Sequence, residues 1–254
     1  MCQERRAGLD ITFGPGNLNT VGAEVIVSLK DRISDVTAAE FSRLALPAPI
    51  HALNLVNFRD KRSYRLYGLL LTPLAIALGA RPLWAAVLDE RVRGADPADE
   101  IVIVGYPSAK ALVDTVRTGY YSWVNRWRVR GVRRLEFALT ERTAGSVSLR
   151  TNGRFLVVQH AGSPGLRDRM VARAAPHLGL QYAAVVRAGF PALVGHAAGD
   201  PEPVRFRELL LLGPAAARGD GRGLKRVAAD IGGLEGDMAL HWYRTIGLLE
   251  ALPL

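Results

Sequence analysis

The chain has 254 residues, of which 49% are hydrophobic and 22% charged, with a formal net charge of +9 and one cysteine, Cys2. That length and apolar content exclude an intrinsically disordered chain and allow two domains of roughly 100 residues each. One cysteine excludes an internal disulfide and a cysteine metal cluster, and fits a reducing cytoplasm.

Nucleic acid is not the expected partner, because phosphate binding needs basic groups clustered on one surface. The one local concentration is Arg117, Arg126, Arg128, Arg130, Arg133 and Arg134, beside Tyr120, Tyr121, Trp123 and Trp127. It reads as an arginine-rich helix face with its aromatics turned to the core. Arg5 and Arg6 are followed by Gly8, Asp10 and Gly14 rather than an apolar run, which is not a secretory signal. The most apolar helix pattern, 66–80, is interrupted by Pro73 and followed by Arg81, short of the roughly 20 residues a span requires. No membrane partner is expected.

Residues 1–36 stand apart as an N-terminal extension. Gly14-Pro15-Gly16-Asn17 is a turn cluster without the lysine and hydroxyl of a phosphate-binding loop, 24–30 has strand character, and a short helix can run through Arg43. Two domains then follow, 37–145 and 146–254. Each has the order strand, helix, strand, strand, helix, strand.

In the first, 50–58 is apolar on both alternating faces, so both faces should be covered, with Asn54 the polar exception on its face. Tyr64, Tyr67, Leu71, Leu74 and Leu78 mark one helix stripe, kinked at Pro73 and closed by Gly79. Strands follow at 83–88 and 101–106. Ser108 caps a helix running towards Arg130 with a break near Gly119, and 134–140 is the last strand. Residues 145–153 form the linker.

In the second domain, strands are expected at 155–160, 182–186, 206–212 and 241–249. A helix starts at Ser163-Pro164 and runs to Leu178, where Gly179 closes it, and another covers 224–231 before Gly232-Gly233. The fold class is α+β. One unit leaves one face of its sheet bare, so two tandem units should pack sheet to sheet around a shared cavity.

The first unit carries Pro49-Ile50-His51, Leu53-Asn54-Leu55, Phe58-Arg59, Tyr64-x-x-Tyr67, Pro73-Leu74, Gly79, Trp84 and Tyr106-Pro107-Ser108, then Tyr121 with Arg128 seven residues on. In order and spacing it resembles the bacterial family known as domain of unknown function 1330, over about 37–143. That resemblance implies ferredoxin-like units forming an intramolecular α/β-barrel pseudo-dimer, within the dimeric α/β-barrel superfamily. The superfamily includes cofactor-independent monooxygenases, muconolactone isomerases and haem-binding chlorite dismutases. Residues 1–36 have no counterpart in the family, and the second unit keeps the order of elements without the motif residues, as a diverged copy would.

The sequence has no G-x-S-x-G elbow, and the five histidines are never paired at helical ligand spacing. No metal is expected. A single axial histidine for haem leaves no spacing signature, so His160 and His241 keep that alternative open. Asn54, Tyr67, Trp84 and His160 are the candidate substrate-binding residues, and Arg128, Tyr121, Glu136 and His241 the candidate catalytic ones. Arg128 with the tyrosines suits an enolate, phenolate or carboxylate, and Glu136 can act as a base only if burial raises its pKa. The expected function is a cofactor-independent isomerase, cyclase or oxygenase acting on a small hydrophobic oxygenated molecule, in bacterial secondary metabolism. A carrier or interaction module is the alternative, and homodimerisation through outer surfaces stays open.

Overall fold

The computed structural model describes residues 46, 48–162, 165–189, 202–214, 221–234 and 237–247. The expectations for 1–36, and those on Ser163 and Pro164, lie outside the described residues. Nine strands and five helices are described, in the order β1 (Ile50–Phe58), α1 (Lys61–Ala77), β2 (Arg81–Arg93), β3 (Glu100–Tyr106), α2 (Ala109–Arg117), α3 (Gly119–Gly131), β4 (Val132–Gly145) and β5 (Arg154–His160). There follow α4 (Leu166–Ala174), β6 (Leu178–Gly189), β7 (Glu202–Pro203), β8 (Glu208–Pro214), α5 (Gly221–Gly232) and β9 (Met238–Thr245).

Eight of the strands close into a barrel. The order around it is β1-β3-β2-β9-β5-β8-β6-β4, and β4 returns to β1 through the antiparallel register Asn54↔Phe137 and Leu55↔Glu136. Within each half the strands lie in the order fourth, first, third, second, and the halves join edge to edge through β2–β9 and β4–β6. Closure pairs the outer edges of both halves, which removes the open strand edges that would otherwise template aggregation. The short β7 adds in parallel beside Glu136 and Phe137.

Two-residue alternation divides every strand between two environments. Leu53, Leu55, Trp84 and Ile103 point into the barrel with Phe155, Tyr182, Leu209 and Tyr243 from the other half. Ile50, Ala52, Tyr106 and Leu139 point outward under the helices of the first half, and Leu156, Val158, Leu210 and Trp242 under those of the second. This is why β1 reads apolar on both faces. The halves thus share a filled interior, with Trp84 meeting Phe155 edge-on at a centroid separation of 5.6 Å.

Local signals place the first-half helices closely. Asp60 caps α1 by accepting from Arg62 N at 3.0 Å and from Ser63 Oγ at 2.6 Å. Pro73 lies inside α1, and the Tyr120 hydroxyl of α3 donates to Leu70 O at 2.8 Å beside it. Thr118 ends α2 and caps α3, its Oγ1 accepting from Tyr121 N at 3.0 Å. A Cβ on Gly131 would sit 2.4 Å from Tyr64 N, so only glycine lets α3 approach α1 this closely.

In the second half the element order matches apart from the short β7, the first strand falls where expected, and other boundaries shift. The expected helix to Leu178 stops at Ala174, and Gly179 lies inside β6 rather than closing a helix. The reason is tertiary: 178–189 must pair with both β8 and β4 to close the barrel, and that pairing overrides the helical preference of the alanines before it. The last strand begins at Met238 and ends at Thr245, so it is displaced from the expected 241–249.

Candidate functional site

A cavity of about 400 Å³ opens between the outer sheet face of the first half and helices α1–α3. It does not lie between two sheets, as the sequence suggested; large aromatic side chains occupy the barrel interior. The sheet side is made by Asn54, Val102, Val104 and Phe137, which period-2 alternation places on one face. Arg65, Tyr67 and Leu71 come from α1, Leu112 and Val116 from α2, and Tyr121 and Arg128 from α3. Leu149 of the linker and Ile246 after β9 complete the lining.

The polar groups are few and buried. Glu100, the first residue of β3, is 1% exposed and faces the helices because it alternates with Val102 and Val104. Its carboxylate accepts from both terminal nitrogens of Arg65, Nη2 to Oε2 at 2.6 Å and Nη1 to Oε1 at 3.2 Å. Burial pushes the Glu100 pKa up to about 7, because desolvation of the charged form outweighs the attraction of Arg65 and Lys61. The third guanidinium nitrogen, Arg65 Nε, is buried without a hydrogen-bond partner in the protein. Such a donor costs free energy until something accepts from it.

Arg128 is buried on α3 and its Nε donates to Asn125 Oδ1 at 2.6 Å. Tyr64, Tyr67, Tyr106 and Tyr121 also line the cavity. Desolvation raises the pKa of Tyr64, Tyr67 and Tyr106, so these phenols stay neutral near pH 7 and can donate hydrogen bonds. The Asn54 amide donates to Ala52 O at 3.3 Å and reaches Val102 O only at 3.5 Å, which is weak satisfaction for a partly buried amide. The site therefore offers one titrating carboxyl, two guanidinium groups and several neutral donors in apolar surroundings.

The structure brings Asn54, Tyr67, Tyr121 and Arg128 to one cavity. It separates the other sequence candidates from it. Trp84 is buried in the barrel core. Glu136 points to the opposite side from its neighbour Phe137, pairs with Arg134, and has a pKa raised by burial away from the cavity. His160 Nδ1 accepts from Gly162 N at 3.0 Å, and its Nε2 lies 3.2 Å from Glu208 Oε2. His241 Nδ1 accepts from Val92 N at 3.2 Å while Nε2 lies 3.0 Å from Ala95 O. Among the described residues no histidine lines the cavity, so its lining does not fit a histidine-ligated haem, and no cluster of three or more described His, Cys, Asp or Glu can hold a metal ion.

Glu100 and Arg65 were missed in the sequence. Extending the Val102–Val104 alternation back one step puts Glu100 on the buried face, and α1 carries only one arginine that falls among its buried positions. A lone acid and a lone base on two facing buried surfaces is the signal that was there to be read.

No protein-family model and no curated protein matches the chain. Among solved structures it is similar to a protein of unknown function from Rhodopseudomonas palustris, at 24% identity and a TM-score of 0.38, over 42% of this chain and 91% of that one. It is also similar to an anthrone oxidase-like protein, at 8% identity and a TM-score of 0.41, over 78% of this chain and 91% of that one. A variant chlorite dismutase from Candidatus Nitrospira defluvii, in complex with cyanide, aligns at 9% identity and a TM-score of 0.46, over 84% of this chain and 98% of that one.

Proposed function

We propose that the protein is an enzyme that moves a proton on a small, mostly apolar, oxygenated molecule, with Glu100 as general base and Arg128, Tyr67 and Tyr121 holding the oxygen on which negative charge develops. The observation that carries this reading is a buried carboxyl group in the lining of an apolar cavity, with desolvation pushing its pKa up to about 7. A base is most effective when its pKa lies near the working pH, since it is then both available and strong enough. Proton abstraction next to a carbonyl leaves an enolate, and abstraction from a phenol leaves a phenolate. Fixed cations and neutral donors in a dry site stabilise either anion more than water would.

Arg65 has two roles in this scheme. It keeps Glu100 partly ionised against the cost of burial, and its unpartnered Nε supplies a donor for a substrate oxygen. Proton transfer of this kind is a step common to isomerase, cyclase and oxygenase reactions, and it is carried by side chains alone. The halves of the barrel are proposed to be two ferredoxin-like units, 37–145 and 146–254, related as duplicated copies with only the first keeping an open site. Asn54 is proposed to orient the substrate through its weakly satisfied amide.

The test is deuterium incorporation into enolisable aryl-substituted ketones, with the benzylic ketone 2-tetralone as the first probe, incubated with the purified protein in heavy water and followed by NMR. The expected result is exchange at the carbon next to the carbonyl, faster than buffer, and reduced about 100-fold or more in Glu100→Gln. Saturable binding without exchange across aryl-substituted ketones and phenols would overturn the enzyme reading and leave a carrier.

A further inference from the structure

The two helices that roof the cavity, α1 and α3, present an unusual outer surface. Tyr120 and Trp123 of α3 are 43% and 44% exposed, and Leu69 and Ile76 of α1 are 45% and 57% exposed. The Tyr120 hydroxyl on Leu70 O fixes the two stripes side by side at this end. The helices run antiparallel, since Gly131 O at the end of α3 accepts from Arg59 N and Asp60 N at the start of α1. The other end of the same layer therefore gathers the exposed Lys61, Arg62, Arg126 and Arg130. Arg126 lies over the Trp123 ring at 4.8 Å and Arg130 over the Trp127 ring at 4.9 Å. Neither helix contains a single aspartate or glutamate.

We propose that this face docks the protein on an anionic phospholipid bilayer, with the apolar end entering the headgroup region and the basic end lying on lipid phosphates. Charge complementarity decides the occupant. A second copy of the chain packed on this face brings no acidic side chain from either helix to partner the basic residues, whichever way its two-fold axis lies. A nucleic acid would use the arginines and aromatics and would leave the aliphatic Leu69 and Ile76 against water. A bilayer uses all three kinds of group, because tryptophan and tyrosine favour the interface, aliphatic side chains favour the acyl boundary, and arginine favours anionic headgroups.

No described helix is long and apolar enough to cross a membrane, so the contact is peripheral. Leu69 and Pro73 belong both to the outer stripe and to the cavity lining, so an apolar ligand leaving the bilayer would meet the cavity without crossing water. That geometry gives the surface a use beyond adhesion. It does not depend on what chemistry follows inside the cavity.

The experiment is flotation of the purified full chain with vesicles of phosphatidylcholine alone or containing about 30% phosphatidylglycerol, across a range of salt. Binding is expected only with phosphatidylglycerol, with loss at high salt and a blue shift of tryptophan emission. Arg126→Gln with Arg130→Gln should weaken it by about 25-fold, since each basic residue at such a surface contributes roughly fivefold, and Trp123→Ala should weaken it without changing the circular dichroism. The proposal is overturned if the wild-type protein fails to float with phosphatidylglycerol vesicles, or if neither substitution changes its binding. It is equally overturned if light scattering shows a dimer that Trp123→Ala dissolves, or if the same face binds single-stranded nucleic acid and not vesicles.

Discussion

Glu100 and Glu208 occupy the same place in the two halves of the barrel. Each is the first residue of the third strand of its half, each lies across from the first strand, at Val56 and His160 respectively, and each is bound by an arginine from the first helix. Arg65 holds Glu100, and Arg167 Nη1 donates to Glu208 Oε1 at 3.0 Å. The pair is thus a repeated device that ties helix to sheet. What differs is the space beside it. In the second half Leu156, Met170, Leu210 and Trp242 fill the layer between sheet and helices, and His160 reaches Glu208, whereas in the first half that layer is open.

Breaking the buried pair from one side should be costly. Arg65→Met leaves Glu100 desolvated and unpaired, and is expected to lower stability by about 3–5 kcal/mol. Adding Glu100→Leu to it should recover most of that loss, because two apolar side chains then meet. Urea denaturation of the single and double variants checks both outcomes.

The raised pKa of Glu100 ties stability to pH with a definite sign. Its folded value, about 7, lies above its ordinary value of 4.5, so the folded state binds the extra proton between them. The contribution is therefore fully present below about pH 4.5 and is lost as pH rises through about 7, amounting to about 3 kcal/mol. Wild type minus Glu100→Gln, measured by denaturation from pH 4.5 to 8, should fall by that amount as pH rises. The proposed catalysis runs the other way: with the carboxylate as the proposed base, the rate should climb through pH 7 and level off.

Arg128→Met is expected to weaken an anionic or phenolic ligand by about 1.5–3 kcal/mol, the worth of a charge-assisted hydrogen bond, with the fold kept. Isothermal titration beside circular dichroism reads the two effects separately. Unfolding of the variant would assign Arg128 to structure instead.

Trp84→Ala should cost about 3–5 kcal/mol, since it empties a large volume in the barrel core against Phe155. Affinity for a cavity ligand should stay unchanged where the variant remains folded. The contrast with Arg128→Met separates core from site.

The first half was largely legible because its signals are local: the two-sided apolar strand 50–58, the cap at Ser108, and the break before Gly119 each follow from neighbours in sequence. The second half was less so, because β6 owes its extent to pairing with β4 and β8 rather than to its own residues. Four of the residues that line the cavity, Asn54, Tyr67, Tyr121 and Arg128, are among those that carry the resemblance. The position of the cavity could not, because it depends on Trp84, Phe155, Tyr182 and Tyr243 meeting inside the barrel from strands distant in sequence. Glu100 escaped for a related reason. A charged residue at a strand end reads as a turn until the partner arginine is seen above it.

Glu100, the cavity carboxyl whose pKa burial pushes up to about 7, is the proposed base. The most direct measurement is a pH titration of the glutamate side-chain carboxyl carbons by NMR, with the Glu100 signal assigned by its loss in Glu100→Gln. The expected midpoint is about 7, displaced when 2-tetralone is added. A midpoint near 4.5, unmoved by ligand, would contradict the assignment of Glu100 as the proton acceptor.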